Sequence, residues 1–332
     1  MCNIYKFNKE KPELKTNERI SKLFTAKIKK YDTLFIGSSR TDFALDPKHY
    51  YNLTKKKALN LGIGGSDISE SKIILQKLIK THPNLKTIIL EVDYFGFNST
   101  HKINSNEKID SYISLNDFFK LFLSYDSIKK SISTINYNFK TPNKFIYDYN
   151  GLRIKTPEHN SYNLALAEIN GVLTKNKNYS LDISRLQNLQ EIKRLCKQNN
   201  IKLIVFVSPL NFAEIHGINL TGNFNKYLNW RKEISKITSF YDFSMGNYIT
   251  YEPLKPHMRY YFDSHHYTIE VGQKILDKIL NKSNIESNDN FGVIITMNNI
   301  DKYNKEFYLE YKNWALNNKI IVKKINLLKN GG

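Results

Sequence analysis

Apolar residues follow two alternating patterns along the chain. TLFIG (33–37), KALNLG (57–62), TIILEVDYF (87–95) and KLIVFVSP (202–209) are short, continuous apolar runs. Such runs suit parallel strands buried on both faces. The segments between them carry apolar residues at helical spacing. ERISKLFTAKIKK (18–30) places Ile20, Leu23, Phe24 and Ile28 on one face. SDISESKIILQKLIKTH (66–82) opens with Ser66 or Asp67 as its N-cap, and 186–200, 226–237 and 267–280 read the same way. A short strand is predicted around Phe240–Phe243, an extra strand at FGVIIT (291–296) and a charged helix near 301–317.

Strand and helix in alternation predict an α/β fold with a central parallel sheet covered by helices on both faces. The rhythm loosens over 98–180. There 116–132 reads as a helix, and 133–160 is aromatic, polar and turn-rich. The expectation is a single domain, 1–332, with 98–180 as an insertion and 286–332 as a C-terminal extension. The Tyr and Phe residues of the insertion either line a substrate groove or pack a small satellite core.

In an open α/β sheet, ligands bind at the carboxyl ends of the strands, so chemistry is sought in the turns that follow them. Three stand out. Gly37-Ser38-Ser39-Arg40 follows the first strand, where a serine can project its hydroxyl and a backbone N–H can face an oxyanion. Asn60 to Asp67 (NLGIGGSD) follows the second, and its glycines allow close backbone approach to a ligand. Its spacing departs from GxGxxG and no Walker lysine follows, which argues against a nucleotide site. Phe262 to Thr268 (FDSHHYT) holds Asp263 and His266 three residues apart, so that the carboxylate can accept from the imidazole. Each turn also has a plain structural reading: a Ser/Gly turn, a tight turn with a helix cap, and an Asp-capped turn with two surface histidines.

Composition changes the picture little. Of 332 residues, 50 are Lys or Arg and 31 Asp or Glu, a formal charge of +19, and 41% are hydrophobic, enough for a buried core. The lysines are dispersed, with no sustained basic run and no zinc-finger or RNP pattern, so no nucleic-acid partner is expected. Two cysteines, Cys2 and Cys196, support neither a disulfide framework nor a CxxC zinc site, and Cys196 reads as a small core residue. No metal and no cofactor are expected. No run of about 18 apolar residues is present, and the first fifteen residues lack the apolar core of a signal peptide, so the chain is expected to be soluble.

Together the three turns resemble the SGNH/GDSL hydrolase family over roughly residues 31–95 and 200–282, and the resemblance implies a three-layer α/β/α sandwich of flavodoxin-like type. The resemblance implies a Ser-His-Asp triad with Ser39 as nucleophile, His266 as base and Asp263 as its partner; His265 is the competing histidine and breaks the spacing. It implies an oxyanion hole built from the N–H groups of Ser39 and Gly65. The family's third donor is an asparagine side chain, and here Asp93 stands near that position, although an ionised carboxylate cannot donate. Arg40 and Asn60 are the candidate substrate contacts, with Arg40 either holding an anionic group or pairing with Asp42. GSSR with the DSHHY ending looks closest to the DltD-like and uncharacterised bacterial branches, which act at the cell envelope and are often tethered behind an N-terminal membrane helix. The expected substrate is an acylated carbohydrate or small ester, with membrane proximity if an anchor precedes the chain. The alternative is a catalytically impaired relative that binds a glycan or a protein.

Overall fold

The computed structural model describes residues 18–101, 125–139, 145–148, 150–155, 160–281 and 291–330. Six strands form the main sheet: β1 (Thr33–Gly37), β2 (Ala58–Gly62), β3 (Thr87–Val92), β6 (Lys202–Val207), β7 (Phe240–Asp242) and β8 (Val293–Ile295). They lie in the order β2-β1-β3-β6-β7-β8. The first five are parallel and β8 joins β7 antiparallel. The parallel part thus has the 2-1-3-4-5 order of flavodoxin-like folds, with its switch point between β1 and β3. A separate antiparallel hairpin is formed by β4 (Phe145–Tyr147) and β5 (Arg153–Lys155).

Alternate strand residues feed the two faces, as the pleat requires. Leu34, Ile36, Leu61, Ile88, Leu90 and Val205 point into one core, and Phe35, Ile89, Ile204 and Phe206 into the other. The first core is covered by α1 (Glu18–Ile28), α4 (Ile68–Ile79), α7 (Ile183–Gln198) and α9 (Phe224–Ile237), which contribute Leu23, Leu75, Leu189 and Trp230. The second is covered by α3 (Pro47–Thr54) and α10 (Ile269–Ile279), through Tyr50, Val271 and Ile275. The result is the expected α/β/α sandwich.

Between residues 98 and 180 the described elements are α5 (Tyr125–Phe139), the β4–β5 hairpin and α6 (Ser161–Lys175). Ile169, Val172 and Leu173 of α6 belong to the first core, packed with Ile215 and Ile218 of α8 (Phe212–Leu220). The expected helix at 116–132 lies partly outside the described residues; from Tyr125 it is helical and runs on to Phe139. At the chain's end, α11 (Ile300–Asn317) and α12 (Lys319–Asn330) bring Phe307, Tyr311, Trp314 and Ile325 into the same core.

Cys196 is buried in α7, and burial pushes its thiol up to about 12. Among the described residues no helix is long and apolar enough to cross a membrane.

Candidate active site

The site sits where β1 and β3 end, the switch point of the sheet. β1 stops at Gly37, where a side chain would collide with Thr41 and Glu91. Ser38 then caps α2 (Ser39–Ala44), its hydroxyl accepting the Arg40 N–H at 3.3 Å. Ser39 is therefore the first helical residue. Its neighbours' N–H groups are committed, Ser38 and Thr41 donating to Glu91 at 3.0 and 3.2 Å, which leaves the Ser39 N–H as the uncommitted donor of this turn.

The histidine arrives from the far end of the chain. Residues 261–267 form a closed turn: Tyr261 bridges Tyr267, and the Phe262 N–H donates to the His266 carbonyl at 2.8 Å. Inside it, Asp263 Oδ1 accepts the backbone N–H groups of His265 and His266 at 2.9 and 2.8 Å. Its Oδ2 meets His266 Nδ1 at 2.7 Å, and His266 Nε2 meets Ser39 Oγ at 2.8 Å. The Asp263 contact places the ring proton on Nδ1, so Nε2 accepts from the serine hydroxyl. Phe43 packs edge-on against the His266 ring at 5.2 Å, fixing its plane.

Charge follows this geometry. Burial opposes ionisation of Asp263, but His266, His265 and the backbone N–H group of His266 outweigh it and hold its carboxyl well below the usual range. Burial lowers His266, and the net shift is downward even though Asp263 pulls the other way. A depressed imidazole stays neutral at neutral pH, the state a general base requires.

His265, the competing histidine, has a different partner. Its Nδ1 lies 2.9 Å from Glu214 Oε2, and Glu214 also accepts the Ser264 hydroxyl. Burial lowers His265, yet Glu214 and Asp263 reverse this and push it up to about 9. Its ring centroid is 4.3 Å from that of His266, so one imidazole is a cation beside a neutral one. Asp263, His265 and His266 offer ligand atoms within 4.8 Å of one another. Both His266 nitrogens and both Asp263 oxygens are already spent on hydrogen bonds, an arrangement that suits a proton relay better than an ion.

Two residues beneath the site lay outside the sequence reading. Glu91, buried in β3, accepts the Ser38 hydroxyl at 3.1 and 3.2 Å, the Thr41 hydroxyl at 2.7 Å and the Ser208 hydroxyl at 2.8 Å. With its proton given to Glu91, Ser208 accepts from the Tyr267 hydroxyl at 3.1 Å. A chain of hydrogen bonds thus ties the serine turn to the histidine turn. Glu214 is the second. The sequence did carry a signal for both: an acidic residue inside an apolar stretch, TIILEV and FAEIHG.

The glycine turn is held from outside. Gly64 donates to Glu18 at 3.2 Å, and its carbonyl accepts from Arg19 at 3.3 Å. Arg19 in turn pairs with Glu70 at 2.9 Å, so α1 and α4 grip the loop together. Gly65 adopts φ +67, with open space where a side chain would stand, and its carbonyl accepts from His101 at 3.1 Å. The helix cap that follows is Asp67, which accepts from Ser69 and Glu70 at 2.8 and 3.1 Å.

Three expected site residues behave otherwise. Asn60 is fully buried; its amide donates to the carbonyls of Thr41 and Leu45 and accepts the Gly62 N–H, all within 2.8 Å, so its side chain is committed to fastening α2 to β2. Arg40 does not pair with Asp42, which is buried against Lys22 and Arg153 on the other side of α2. Its guanidinium faces Asp93 at 3.7 Å. Asp93 Oδ1 accepts the Gly96 N–H at 2.7 Å, so this carboxylate is turned to the 95–97 turn and to Arg40, not offered as a donor.

No protein-family model matches the chain, and no curated protein matches it. Among solved structures, one described as "a putative platelet activating factor from Streptococcus pneumonia" aligns at 13% identity with a TM-score of 0.37, over 83% of this chain and 92% of that one. A likeness that distant does not bear on the site.

Proposed function

We propose that this chain performs serine-dependent acyl-ester chemistry of the SGNH hydrolase type, on an acylated carbohydrate or a small ester. The observation that supports this is the ordered line of contacts from Ser39 Oγ to His266 Nε2 at 2.8 Å and from His266 Nδ1 to Asp263 at 2.7 Å. It joins residues 227 positions apart.

The chemistry follows from that line. Ser39 Oγ attacks the ester carbonyl carbon while its proton passes to His266 Nε2, and the carbonyl π pair moves onto oxygen. Asp263 stabilises the imidazolium so formed. The Ser39 N–H, with the Gly65 N–H as its partner, faces the new oxyanion. Collapse breaks the bond to the leaving alkoxide, which takes the proton from His266. His266 then removes a proton from an acceptor hydroxyl, whose oxygen attacks the acyl-serine carbonyl; collapse breaks the bond to Ser39 Oγ, which takes the proton back from His266. Water gives an esterase or deacetylase, and a sugar hydroxyl an O-acyltransferase. Both outcomes use the same residues.

One observation favours a second reading. Asp93 stands where the family supplies an asparagine donor, which suits a chain that keeps the scaffold and binds an acylated glycan without turning it over. A fluorophosphonate probe separates the two. Labelling of the wild type, lost in Ser39→Ala, is expected. Equal labelling of both, or of neither, overturns the serine-enzyme reading.

A further inference from the structure

We propose that Arg40 is the side-chain oxyanion donor of this site, with Asp93 as the residue that positions it. The inference rests on the serine-ester reading. In the serine-ester reading two backbone N–H groups face the oxyanion, while Asp93, just after β3, directs its carboxylate to the Gly96 N–H and to Arg40.

Four observations point to Arg40 as a further donor. It directly follows Ser39, so the two are carried by one turn of α2. Its guanidinium reaches across the switch point, since Asp93 is the first residue after β3. At 3.7 Å the contact with Asp93 is an ion pair longer than a hydrogen bond, and no acceptor in the described fold takes an Arg40 side-chain N–H. Finally, the buried carboxylates Glu91 and Glu214 lie close enough to add to Asp93 in holding the guanidinium charged, although Arg40 is only 5% exposed. A fixed cation with open N–H groups, held in a low-dielectric pocket, is the kind of group that stabilises charge appearing on a neighbouring oxygen. Asp93 offsets its charge in the ground state, so the guanidinium is not a free clamp for anionic substrate groups. Its donors become useful when the carbonyl oxygen turns negative.

The groups whose charge acts on Arg40 or responds to it come from several elements: Asp93 after β3, Glu91 within it, Glu214 on α8, and His265, His266 and Tyr267 in the histidine turn. None lies on α2 itself, which is why the guanidinium's position reports on the assembled site.

The test uses the full chain and compares wild type, Arg40→Met, Arg40→Lys and Asp93→Asn, each checked by its thermal midpoint. The readouts are the rate constant of fluorophosphonate labelling at Ser39 and the affinity for benzeneboronic acid, which forms a tetrahedral anionic adduct with serine. Arg40→Met is expected to slow labelling by about 10²–10³-fold and to weaken boronate binding in parallel, as loss of an oxyanion donor does. Free guanidinium ion is expected to restore part of that rate, and Arg40→Lys to lie between the two. Asp93→Asn is expected to slow labelling less than Arg40→Met. Labelling of Arg40→Met within about threefold of wild type overturns the proposal and leaves the serine reading standing. So does slowing that guanidinium does not relieve and that spares boronate affinity, because that pattern is structural. If the wild type itself does not label at Ser39, the serine reading fails, and this inference with it.

Discussion

The buried carboxylate of Glu91 accepts both the backbone N–H and the hydroxyl of Ser38, at 3.0 Å and at 3.1 to 3.2 Å. The residue before Ser39 is therefore pinned at two points by the strand beside it. With Thr41 and Ser208 donating to the same group, one carboxylate organises the ends of β1, α2 and β6.

Replacing Glu91 removes acceptors from several buried donors at once. Glu91→Ala is expected to destabilise the fold by roughly 3 kcal/mol or more, since a hydrogen bond to a charged group contributes about 1.5–3 kcal/mol and orphaned donors add to the loss. Urea titration of wild type and variant reads this directly. A loss below about 1 kcal/mol would show that the donors find other partners.

Asp263 orients His266 through Oδ2 while its other oxygen closes the turn. Asp263→Asn keeps an oxygen for one set of contacts and loses the charge that favours the imidazolium. Labelling at Ser39 is expected to slow by about 10³–10⁴-fold, the scale on which an orienting carboxylate acts in a triad. Rates within tenfold of wild type would remove Asp263 from the proposed machinery.

The pH profile carries a separate expectation. The proposed base is neutral His266, depressed by burial and by the cationic His265. The acid limb of kcat/KM for a neutral ester is therefore expected below the ordinary imidazole value of about 6.5. Glu214→Gln removes the partner that keeps His265 charged, so His265 loses its proton near neutrality and the limb is expected to move upward. Asp263 and Arg40, the other charged neighbours, are unchanged in that variant. A limb at the same pH in both proteins would show that His265 carries no charge.

Stability should depend on pH through the same pair. His265 is raised to about 9 in the folded chain, so its contribution is fully present below about 6.5 and is lost as pH rises through 9. The shift corresponds to roughly 3 kcal/mol. Glu214 is lowered, burial opposing its charge and His265 overcoming that, so its own share is lost only in acid. Chemical denaturation at pH 6 and pH 9 is expected to show a drop for wild type that Glu214→Gln lacks.

The strands were legible in the sequence because β1, β2, β3 and β6 are buried on both faces, and continuous apolar runs are the trace of that burial. β8 was visible as a short run of β-branched residues although Ile294 is exposed, and α11 as a charged helix that buries Phe307, Tyr311 and Trp314 on one side. α8, by contrast, is apolar nearly all round and buried along most of its length, with Gly217 inside it, so no helical period marks it. α6 was hidden by the turn-rich stretch before it. At the site, the three turns could be found because each is local: a serine, two glycines and an Asp-x-x-His spacing. The partners of Arg40, Asn60 and His265 could not, since Asp93, Thr41 and Glu214 reach them only through folding. The family's Asp-x-x-His spacing pointed to His266 rather than His265, and it is the His266 ring that meets Asp263 while the His265 ring meets Glu214.

Ser39 and His266 stand 227 residues apart in the chain yet 2.8 Å apart in space. The nucleophilicity proposed for Ser39 is thus not a property of any segment. It exists only while β1, the sheet it pairs with and the turn ahead of α10 are docked on one another. Covalent capture by a serine-directed probe becomes a built-in gauge of tertiary integrity. On gentle heating or in low denaturant, reactivity should vanish while helical content persists, because a slip of an ångström between the two turns parts the pair long before any helix melts.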